Sequence, residues 1–352
     1  MNYSIKVSNS LNQTEWENAL KKSEASTTYQ LSNWSKIYEE SYGSIPYFIT
    51  IKNNEQIVGQ LSCILHDEMS WRESNVFVKA INNRMKLRRI LNWFYGPIIH
   101  NIDNQNEILK LILQEVENIA KKNNAVMIRG SMPPYTKLEE LPYEEFGYKK
   151  QRWATYITNL EKNNEEMYNE LNKKTRYDIR KSEKNELEFV VADRSTFAID
   201  FSKLKLDSRK KQGENSTINE KFIMSRWRNL NEEGFGKLFL AKHEDKIIAG
   251  VYCVIFNGNI IQHSVVNSEK NLEAGTFLTW NIIKWGSQNN YKIFDVAGVN
   301  PDPSNEKEKQ IDYYKSKWNG EKKTYSIYTK ILDGKKMKIS SLLKNPKKIL
   351  KN

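Results

Sequence analysis

Hydrophobic and polar positions follow the same order twice along this chain. Residues 47–65 (YFITIKNNEQIVGQLSCIL) and residues 237–256 (KLFLAKHEDKIIAGVYCVIF) each contain an apolar strand, a polar turn and a second apolar strand. Each second strand contains a glycine, Gly59 or Gly250, followed by a cysteine. Apolar runs of this length on both sides of a short polar turn predict two β-hairpins of one design, with the glycines and the cysteines in matching places.

A helix and a buried strand are predicted after each hairpin. Residues 108–130 have apolar side chains at helical spacing, then two asparagines, a short apolar run and a glycine. Residues 277–298 repeat that order, again with two asparagines between helix and strand. Two matches in the same order predict a duplicated α/β domain. We place the domains at 1–150 and 151–332, followed by a basic tail at 333–352.

Charge adds a class of partner to this picture. Lys and Arg number 55 against 43 Asp and Glu, which gives a net charge of +12. The tail holds seven lysines and one aspartate, and residues 172–184 form a second basic cluster. Such a field favours nucleic acid, phosphorylated substrates or an acidic membrane face. A composition rich in Lys and Asn that has no functional meaning explains the charge equally well.

Composition and motifs exclude several classes of protein. A hydrophobic content of 39% argues against disorder, and neither a secretory signal nor an apolar run long enough for a bilayer is present. Cys63 and Cys253 lie in apolar runs and are expected as buried, reduced thiols. We therefore expect a soluble, cytoplasmic protein.

Familiar catalytic motifs are absent as well. The four histidines are scattered, and the GxxxxGK[ST], GxGxxG and GxSxG patterns do not occur. We therefore expect no metal and no cofactor. If the chain is an enzyme, it positions two substrates and uses no covalent nucleophile of its own.

Two segments near the end of the chain resemble a known family. Residues 291–301 (YKIFDVAGVNP) and 311–320 (IDYYKSKWNG) are similar to the Asp-x-Gly-Gly segment and the following aromatic–Lys pair of the FemABX proteins. The resemblance extends over residues 30–328. Members of this family are aminoacyl-tRNA-dependent peptidyltransferases that build peptidoglycan cross-bridges. The other segments that carry it are residues 29–49, 92–100, 171–192 and 275–290.

The resemblance implies a fold and a function. The fold is a mixed α/β (α+β) one of two tandem GNAT-like, acyl-CoA N-acyltransferase-type domains. Residues 161–185 leave room for one helix, so we expect no long coiled-coil insertion. The implied function is transfer of an aminoacyl group from aminoacyl-tRNA to the amine of a nucleotide- or lipid-linked sugar-peptide. This would be a step of peptidoglycan synthesis, and hence of cell wall biogenesis and cell shape, performed by a monomer.

The resemblance also implies site residues. Lys315, after Tyr314, falls on a lysine that stabilises charge during transfer. Trp34, Lys36 and Tyr95 fall where the family contacts its nucleotide-sugar acceptor.

Other positions depart from the family. His100 stands where an acid is usual, with Asp103 close by, and His263 stands in place of a tyrosine. The Arg and Tyr that hold the acceptor diphosphate would fall near Thr217 and Lys221. These departures put the usual muropeptide acceptor in doubt.

Several of these residues have a second interpretation from sequence alone. Trp34 shares a helical face with apolar neighbours, so its alternative interpretation is a core residue. The alternative for Asp295 is a structural role in which its side chain caps the following turn. His263 is either a satisfied sheet residue or a proton acceptor. Three cations of the basic helix either face solvent or bind tRNA phosphates; they are Arg176, Arg180 and Lys181. The general base stays open among Asp103, His100 and His263.

Two other functions compete with aminoacyl transfer. An acyl-CoA-dependent N-acyltransferase would bind the CoA pyrophosphate at a glycine-rich helix N-terminus. The corresponding segment, residues 268–280 (SEKNLEAGTFLTW), keeps Gly275 but has Leu272 and Glu273 before it, which weighs against CoA. A non-catalytic adaptor would use the basic helix and the tail to contact RNA or an acidic membrane surface.

Overall fold

The chain forms two compact bodies. The computed structural model describes residues 3–67, 80–81, 84–100, 103–136, 142–213, 217–269 and 272–344. One body contains the described residues up to Gln151 and those from Tyr325 onward, and the other contains Arg152–Thr324. The domain limits 1–150, 151–332 and 333–352 stay a prediction from the sequence. Residues 345–352 of the predicted tail lie outside the described residues.

Both bodies are built from strands and helices. The strands are β1 (Tyr3–Ser8), β2 (Ile45–Asn53), β3 (Gln56–Asp67), β4 (Arg89–Trp93), β5 (Ile98–Ile99), β6 (Met127–Ser131), β7 (Lys149–Asn159), β8 (Glu188–Val191), β9 (Gly236–His243), β10 (Lys246–Phe256), β11 (Asn259–Asn267), β12 (Ile293–Asp295) and β13 (Glu321–Ile331). The helices are α1 (Gln13–Lys21), α2 (Ser32–Tyr42), α3 (Gln105–Lys122), α4 (Asn164–Glu170), α5 (Lys173–Glu183), α6 (Ser195–Lys211), α7 (Glu220–Arg226), α8 (Ala274–Gln288), α9 (Glu306–Ser316) and α10 (Gly334–Lys344).

In the first body, α3 connects two parallel strands. The strands pair in the order β1, β2, β3, β4, β6 and β13, and β4 and β6 run parallel while the other pairs are antiparallel. A parallel pair needs a crossover, which α3 supplies. The apolar face of α3, with Ile108 and Ile112, is fully buried. Gly59 of β3 allows this contact, because a Cβ there would lie 2.4 Å from the Ile108 side chain.

The second body repeats this arrangement. Its strands follow the order β7, β12, β11, β10, β9 and β8, and β11 and β12 are the parallel pair. The crossover between β11 and β12 is α8, whose Leu278, Ile282 and Ile283 are buried in the core. The predicted order of hairpin, helix and buried strand is therefore present in both bodies.

The two predicted hairpins share their register. Cys63 of β3 pairs with Tyr47, and Cys253 of β10 pairs with Lys237, eight residues into the second strand in each case. Both hairpins also shift register near the turn. The two cysteines are therefore equivalent, and both are buried free thiols as predicted. The predicted equivalence of the glycines is wrong by one residue, because Gly59 matches Ala249.

The paired asparagines end α3 and α8 in the same way. The amides of Asn123 and Asn289 each donate to the carbonyl four residues earlier at 2.8 Å. The next residue takes a left-handed conformation, with φ of 56° at Asn124 and 59° at Asn290. Asparagine tolerates this conformation better than most residues with a side chain, and it ends the helix.

One prediction about the second body needs correction. Residues 161–185 form two short helices, α4 and α5, where one was expected. Asn172 separates them, because its side chain accepts a hydrogen bond from the Thr175 backbone at 2.8 Å and so caps α5. No long coiled coil occurs within the described residues.

Candidate active site

Lys315 lies in the last turn of α9 and is largely withdrawn from solvent. Its ammonium group donates to the carbonyl oxygens of Ala297 at 3.1 Å and Gly298 at 3.0 Å. Burial lowers the pKa of Lys315 to about 8, and the nearby charge of Asp295 opposes that shift. The amine is therefore mostly charged at neutral pH and loses its charge in mildly alkaline solution.

Asp295 shapes the loop that Lys315 contacts. The carboxylate is fully buried and accepts hydrogen bonds from the Ala297 backbone at 2.7 Å and from the Thr155 hydroxyl. Ala297 has a φ of 63°, so the chain turns sharply after β12. The interpretation of Asp295 as a turn cap is confirmed.

Tyr314 and Lys317 lie against the first turn of α8. The Tyr314 hydroxyl donates to the Gly275 carbonyl at 2.8 Å, and burial raises the pKa of Tyr314 to about 12. Lys317 is buried, donates to the Thr276 hydroxyl at 3.0 Å and pairs with Asp178 at 3.5 Å. Burial lowers its pKa although Asp178 opposes the shift. Sequence reasoning missed Lys317, whose burial comes from packing that the local pattern does not reveal.

The N-terminus of α8 already has charged and polar side chains around it. Glu273 occupies the N-cap position with a φ of 54°, and its carboxylate pairs with Lys181 at 3.0 Å. A Cβ added at Gly275 would lie 3.2 Å from the Tyr314 hydroxyl. An incoming pyrophosphate would meet a carboxylate at this helix end.

Two cations, buried Arg226 and partly buried Lys205, lie near His263. Lys205 of α6 donates to the Ser264 hydroxyl, and Arg226 of α7 lies 4.0 Å from the centroid of the Tyr252 ring with only 6% of its surface exposed. The Tyr252 and His263 ring centroids are 6.4 Å apart. We name Lys205, Arg226, Tyr252 and His263 the cationic cluster.

The cluster disfavours further positive charge. The pKa of His263 is lowered to about 3. Burial is the main cause, and the positive charges of Arg226 and Lys205 contribute the rest. Burial also lowers the pKa of Lys205 to about 8, helped by Arg209 and Arg226. A neutral imidazole beside two cations can accept a hydrogen bond and can face an anion, but its protonation is costly. The resemblance placed the diphosphate-binding Arg and Tyr near Thr217 and Lys221, and sequence reasoning missed this cluster.

The three cations predicted to bind tRNA all have partners within the second body. Arg176 donates to the Asn169 carbonyl at 2.8 Å, Arg180 to the Tyr168 hydroxyl at 3.0 Å, and Lys181 pairs with Glu273. Arg180 and Lys181 remain exposed.

Two tyrosines extend this basic surface. Tyr177 is 61% exposed and Tyr313 is 52% exposed. Lys174 lies beside both, since it is three residues before Tyr177 on α5 and its ammonium is 5.2 Å from the Tyr313 ring centroid. We name Lys174, Tyr177, Arg180 and Tyr313 the α5 surface. Sequence reasoning did not select Tyr177, although it lies within the basic segment, because its exposure to solvent is known only from the structure.

In the first body, Trp34 and Tyr95 share an aromatic cluster. Trp34 is buried, and its ring centroid is 4.7 Å from that of Tyr29, which lies 5.5 Å from Tyr95. Tyr95 has a φ of 46° and its backbone donates to the Ser131 hydroxyl at 3.0 Å. Lys36 is exposed on the opposite side of α2. These contacts accord with the core interpretation of Trp34.

His100 and Asp103 lie just before α3. The His100 ring is 2.9 Å from the Gln60 side-chain oxygen, and burial, with a smaller effect of Lys22, lowers its pKa to about 4. Asp103 is exposed. His100 is therefore neutral near pH 7 and held by a neutral partner.

A cleft of about 340 Å³ opens beside β4 and β6 of the first body. Aromatic rings and one exposed cation, Arg129, line it. Gly130 allows the Trp93 ring to pack against the backbone of β6 in the wall of the cleft, because a Cβ at this position would lie 1.8 Å from that ring. Such a cleft fits a flat or cyclic ligand group with a negative charge nearby. Other lining residues are Tyr29, Tyr95, Ser131 and Tyr325.

The candidate residues thus form separate groups in the two bodies. Trp34, Lys36, Tyr95, His100 and Asp103 belong to the first body. The second body contains Arg176, Arg180, Lys181, His263, Tyr314 and Lys315. Over the described ranges, no cluster of three or more His, Cys, Asp or Glu side chains could hold a metal ion, and no helix is long and apolar enough to cross a membrane.

Comparisons with known proteins identify the fold. The family model described as an acetyltransferase (GNAT) domain matches residues 170–315. No curated protein matches the chain.

Solved structures match along nearly the whole chain. FemX has a TM-score of 0.70 at 13% identity, over 93% of this chain and 97% of its own. A tandem GNAT protein from the clavulanic acid biosynthesis pathway has a TM-score of 0.55 at 9% identity, over 94% and 98%. The C-terminal domain of a putative lysylphosphatidylglycerol synthetase from Agrobacterium fabrum has a TM-score of 0.52 at 9% identity, over 95% of each chain. The chain therefore has a FemABX-like GNAT fold, and the predicted fold class is confirmed.

Proposed function

We propose that this chain of FemABX-like GNAT fold is an acyltransferase that uses aminoacyl-tRNA. It transfers the aminoacyl group to the amine of a phosphate-bearing acceptor, a nucleotide- or lipid-linked sugar-peptide of the cell envelope. The observation that carries this proposal is the N-terminus of α8, where Glu273 and its partner Lys181 lie. A monomer would act in the cytoplasm, where charged tRNA is found.

The α8 terminus argues against a CoA donor. GNAT-type acetyltransferases bind the CoA pyrophosphate on free backbone amides at the start of this crossover helix. Here the Glu273 carboxylate would repel the pyrophosphate, and the Tyr314 hydroxyl lies against Gly275. Binding of CoA would require the Lys181–Glu273 pair to open and would leave two anions close together.

The α5 surface supports an RNA donor. Single-stranded nucleic acids bind to exposed aromatic rings flanked by cations, because bases stack and phosphates pair with the charges. Tyr177 and Tyr313 offer two such rings, with Lys174 beside both. The unpaired 3′ end of a tRNA is a single strand of this kind.

The cationic cluster supports an acceptor that carries phosphate. Lys205 and Arg226 both act on His263, so two cations lie at one place where the negative charges of a phosphate would pair with them. A ring N–H of neutral His263 can donate to the same anion, whereas the Tyr252 hydroxyl already donates to the Asn231 side chain at 2.8 Å. The family's diphosphate-binding Arg and Tyr have no match at Thr217 and Lys221, and the cations of this cluster support a diphosphate-linked acceptor in their place.

Aminoacyl transfer requires little chemistry from the protein. The acceptor amine attacks the ester carbonyl, a C–N bond forms, and the C–O bond to the terminal ribose breaks. The proton of the amine finally resides on the ribose oxygen, so no covalent enzyme intermediate is needed. Lys315 contributes positive charge beside the developing oxyanion. Among the predicted bases His263 fits least, since its imidazolium would face Arg226 and Lys205.

Structural relatives support an envelope acceptor. The likeness to FemX extends over 93% of this chain. The likeness to the domain of a putative lysylphosphatidylglycerol synthetase extends over 95%. Transfer to a peptidoglycan precursor, and a role in cell wall biogenesis and cell shape, are the forms of this function that we favour.

An acyl-CoA-dependent N-acyltransferase is the second candidate. The match of residues 170–315 to the acetyltransferase (GNAT) domain model favours it. Donor binding separates the two candidates: equilibrium binding is measured for aminoacyl-tRNA, deacylated tRNA and acetyl-CoA, with wild type and with Glu273→Gln. We expect wild type to bind aminoacyl-tRNA and not acetyl-CoA. Tight binding of acetyl-CoA alone would replace the first candidate by the second.

A further inference from the structure

The solvent-facing side of α10 combines cations with apolar side chains. Lys335, Ile339 and Leu342 are spaced at i, i+4 and i+7, so they lie on one side of the helix. Ile339 is 43% exposed, and Lys335 and Lys338 are exposed beside it. Ile339 is therefore an apolar side chain on the outer side of α10, and Leu342 beside it is half-buried.

The opposite side of α10 is fixed to the first body. Ser340 is fully buried and accepts a hydrogen bond from the Arg88 guanidinium at 2.7 Å. Asp333 caps the helix by accepting from the Lys336 backbone at 3.0 Å. The orientation of α10 is therefore set by the fold, and its outer side is a defined surface.

Residues 84–86 lie close to α10. Arg88 follows them by two to four residues and donates to Ser340, and Leu87 anchors them because it is fully buried. Arg84 is exposed and Met85 is 50% exposed. We name Arg84, Met85, Lys335, Lys338, Ile339 and Leu342 the α10 surface.

Charge and hydrophobicity together identify the occupant. Lysines near an anionic leaflet contribute through attraction to lipid phosphates, and apolar side chains add affinity by entering the headgroup region. Asp333 is the only acid among residues 333–344, and its carboxylate is engaged in the helix cap. Nucleic acid would gain from the cations but not from the exposed Met85 and Ile339 or the half-buried Leu342, since stacking needs aromatic rings.

We propose that the α10 surface docks the protein on an anionic phospholipid bilayer. The cations lie over lipid phosphates, and Met85, Ile339 and Leu342 enter the interface between headgroups and acyl chains. Docking is reversible and depends on salt, because the charges act only within a Debye length of the leaflet. This inference holds whatever donor and acceptor the second body uses, and it would place the first body beside a lipid-linked substrate.

Vesicle sedimentation tests the proposal without a transfer assay. The full-length protein is mixed with phosphatidylcholine vesicles and with vesicles that also contain phosphatidylglycerol. Lys335→Ala/Lys338→Ala removes two charges from the α10 surface, and Ile339→Ser removes an exposed apolar group. Lys210→Ala/Lys211→Ala removes the same charge from the exposed end of α6 and is the control.

We expect binding only to vesicles with phosphatidylglycerol. Each lysine near the leaflet accounts for about a fivefold change in binding, so the double variant should bind on the order of twentyfold more weakly. Ile339→Ser should also weaken binding, and the control should match wild type.

Equal losses in the α10 double variant and the control would overturn the proposal, because they would show a non-specific effect of net charge. An unchanged Ile339→Ser would overturn the insertion of apolar side chains. Loss of tRNA binding in the α10 variant, with no vesicle binding by wild type, would assign the surface to RNA instead. Thermal unfolding of each variant confirms that these exposed substitutions leave the fold intact.

Discussion

The ammonium group of Lys315 lies 3.1 Å from the carbonyl oxygen of Ala297. Ala297 is the residue whose left-handed backbone turns the chain after β12, and Asp295 holds that turn from the other side. The ammonium group of Lys315 therefore both holds this loop and carries a positive charge beside it. Its role in transfer has to be separated from its role in holding this loop.

Replacement of Lys315 separates the two roles. Lys315→Ala should lower kcat by about 100- to 1,000-fold, the usual cost of losing one group that stabilises an oxyanion. Lys315→Arg keeps the positive charge and should keep a measurable part of the rate. The fold is checked by thermal unfolding of both variants. Equal rates for wild type and Lys315→Ala would exclude Lys315 from the reaction.

The rate should also depend on pH through Lys315. Burial lowers its pKa to about 8, so the charged form predominates below that value and is lost above it. Transfer should therefore fall as the pH rises through about 8, and Lys315→Arg should remove this fall because arginine stays charged. Lys205 titrates in the same range. The profile is therefore measured with an amine acceptor that has no phosphate.

Arg226 should act on acceptor binding. Arg226→Met removes a charge from the cationic cluster at similar volume. Hydrogen bonds to charged groups contribute about 1.5–3 kcal/mol, so KM for a phosphate-bearing acceptor should rise by roughly tenfold or more. The same peptide amine without phosphate is the matched control, and its KM should not change. A rise for both acceptors would indicate damage to the fold and not loss of an anion site.

We expect Lys205 to lower the free energy of unfolding of the ligand-free protein. Its folded pKa lies below the ordinary lysine value, so charge is unfavourable in the native state at neutral pH. Lys205→Met should raise the free energy of unfolding at pH 7, by an amount on the order of 1 kcal/mol. The gain should shrink as the pH rises above about 8, where the wild-type lysine is neutral. Lys211→Met, on the exposed end of α6, should change nothing. A loss of stability in Lys205→Met would contradict the account of the cluster.

The two tyrosines of the α5 surface should contribute to RNA binding by stacking. Tyr177→Ala and Tyr313→Ala should each weaken the binding of aminoacyl-tRNA by about 1–3 kcal/mol. Phenylalanine keeps the ring, so Tyr177→Phe and Tyr313→Phe should bind like wild type. Filter binding at fixed salt gives the four constants. Equal effects of alanine and phenylalanine would rule out stacking.

The paired asparagines illustrate what sequence alone could predict. A short polar break between an amphipathic helix and an apolar strand is a local signal, and Asn124 and Asn290 both adopt the left-handed conformation that ends their helices. The tandem fold followed from this repetition and from the family resemblance. The one-residue error at Gly250 arose because two neighbouring small residues, Ala249 and Gly250, both suit this place in a buried strand, and only the strand pairing shows which of them matches Gly59.

The cationic cluster was beyond the reach of sequence reasoning. Lys205, Arg226 and His263 lie on α6, α7 and β11, far apart along the chain, and only packing brings them together. The resemblance led only to Thr217 and Lys221, which depart from the family's Arg and Tyr and do not belong to this cluster. Lys317 was missed for the same reason, since its burial depends on α8.

The central claim is that an aminoacyl group moves from tRNA to an acceptor amine. The most direct measurement follows label from charged tRNA, and in a parallel reaction from acetyl-CoA, into amide-linked product with nucleotide-linked sugar-peptides as acceptors. We expect label from tRNA in an amide product with wild type, little with Lys315→Ala, and none from acetyl-CoA. Label from acetyl-CoA alone, or from neither donor across the acceptors, would contradict the account.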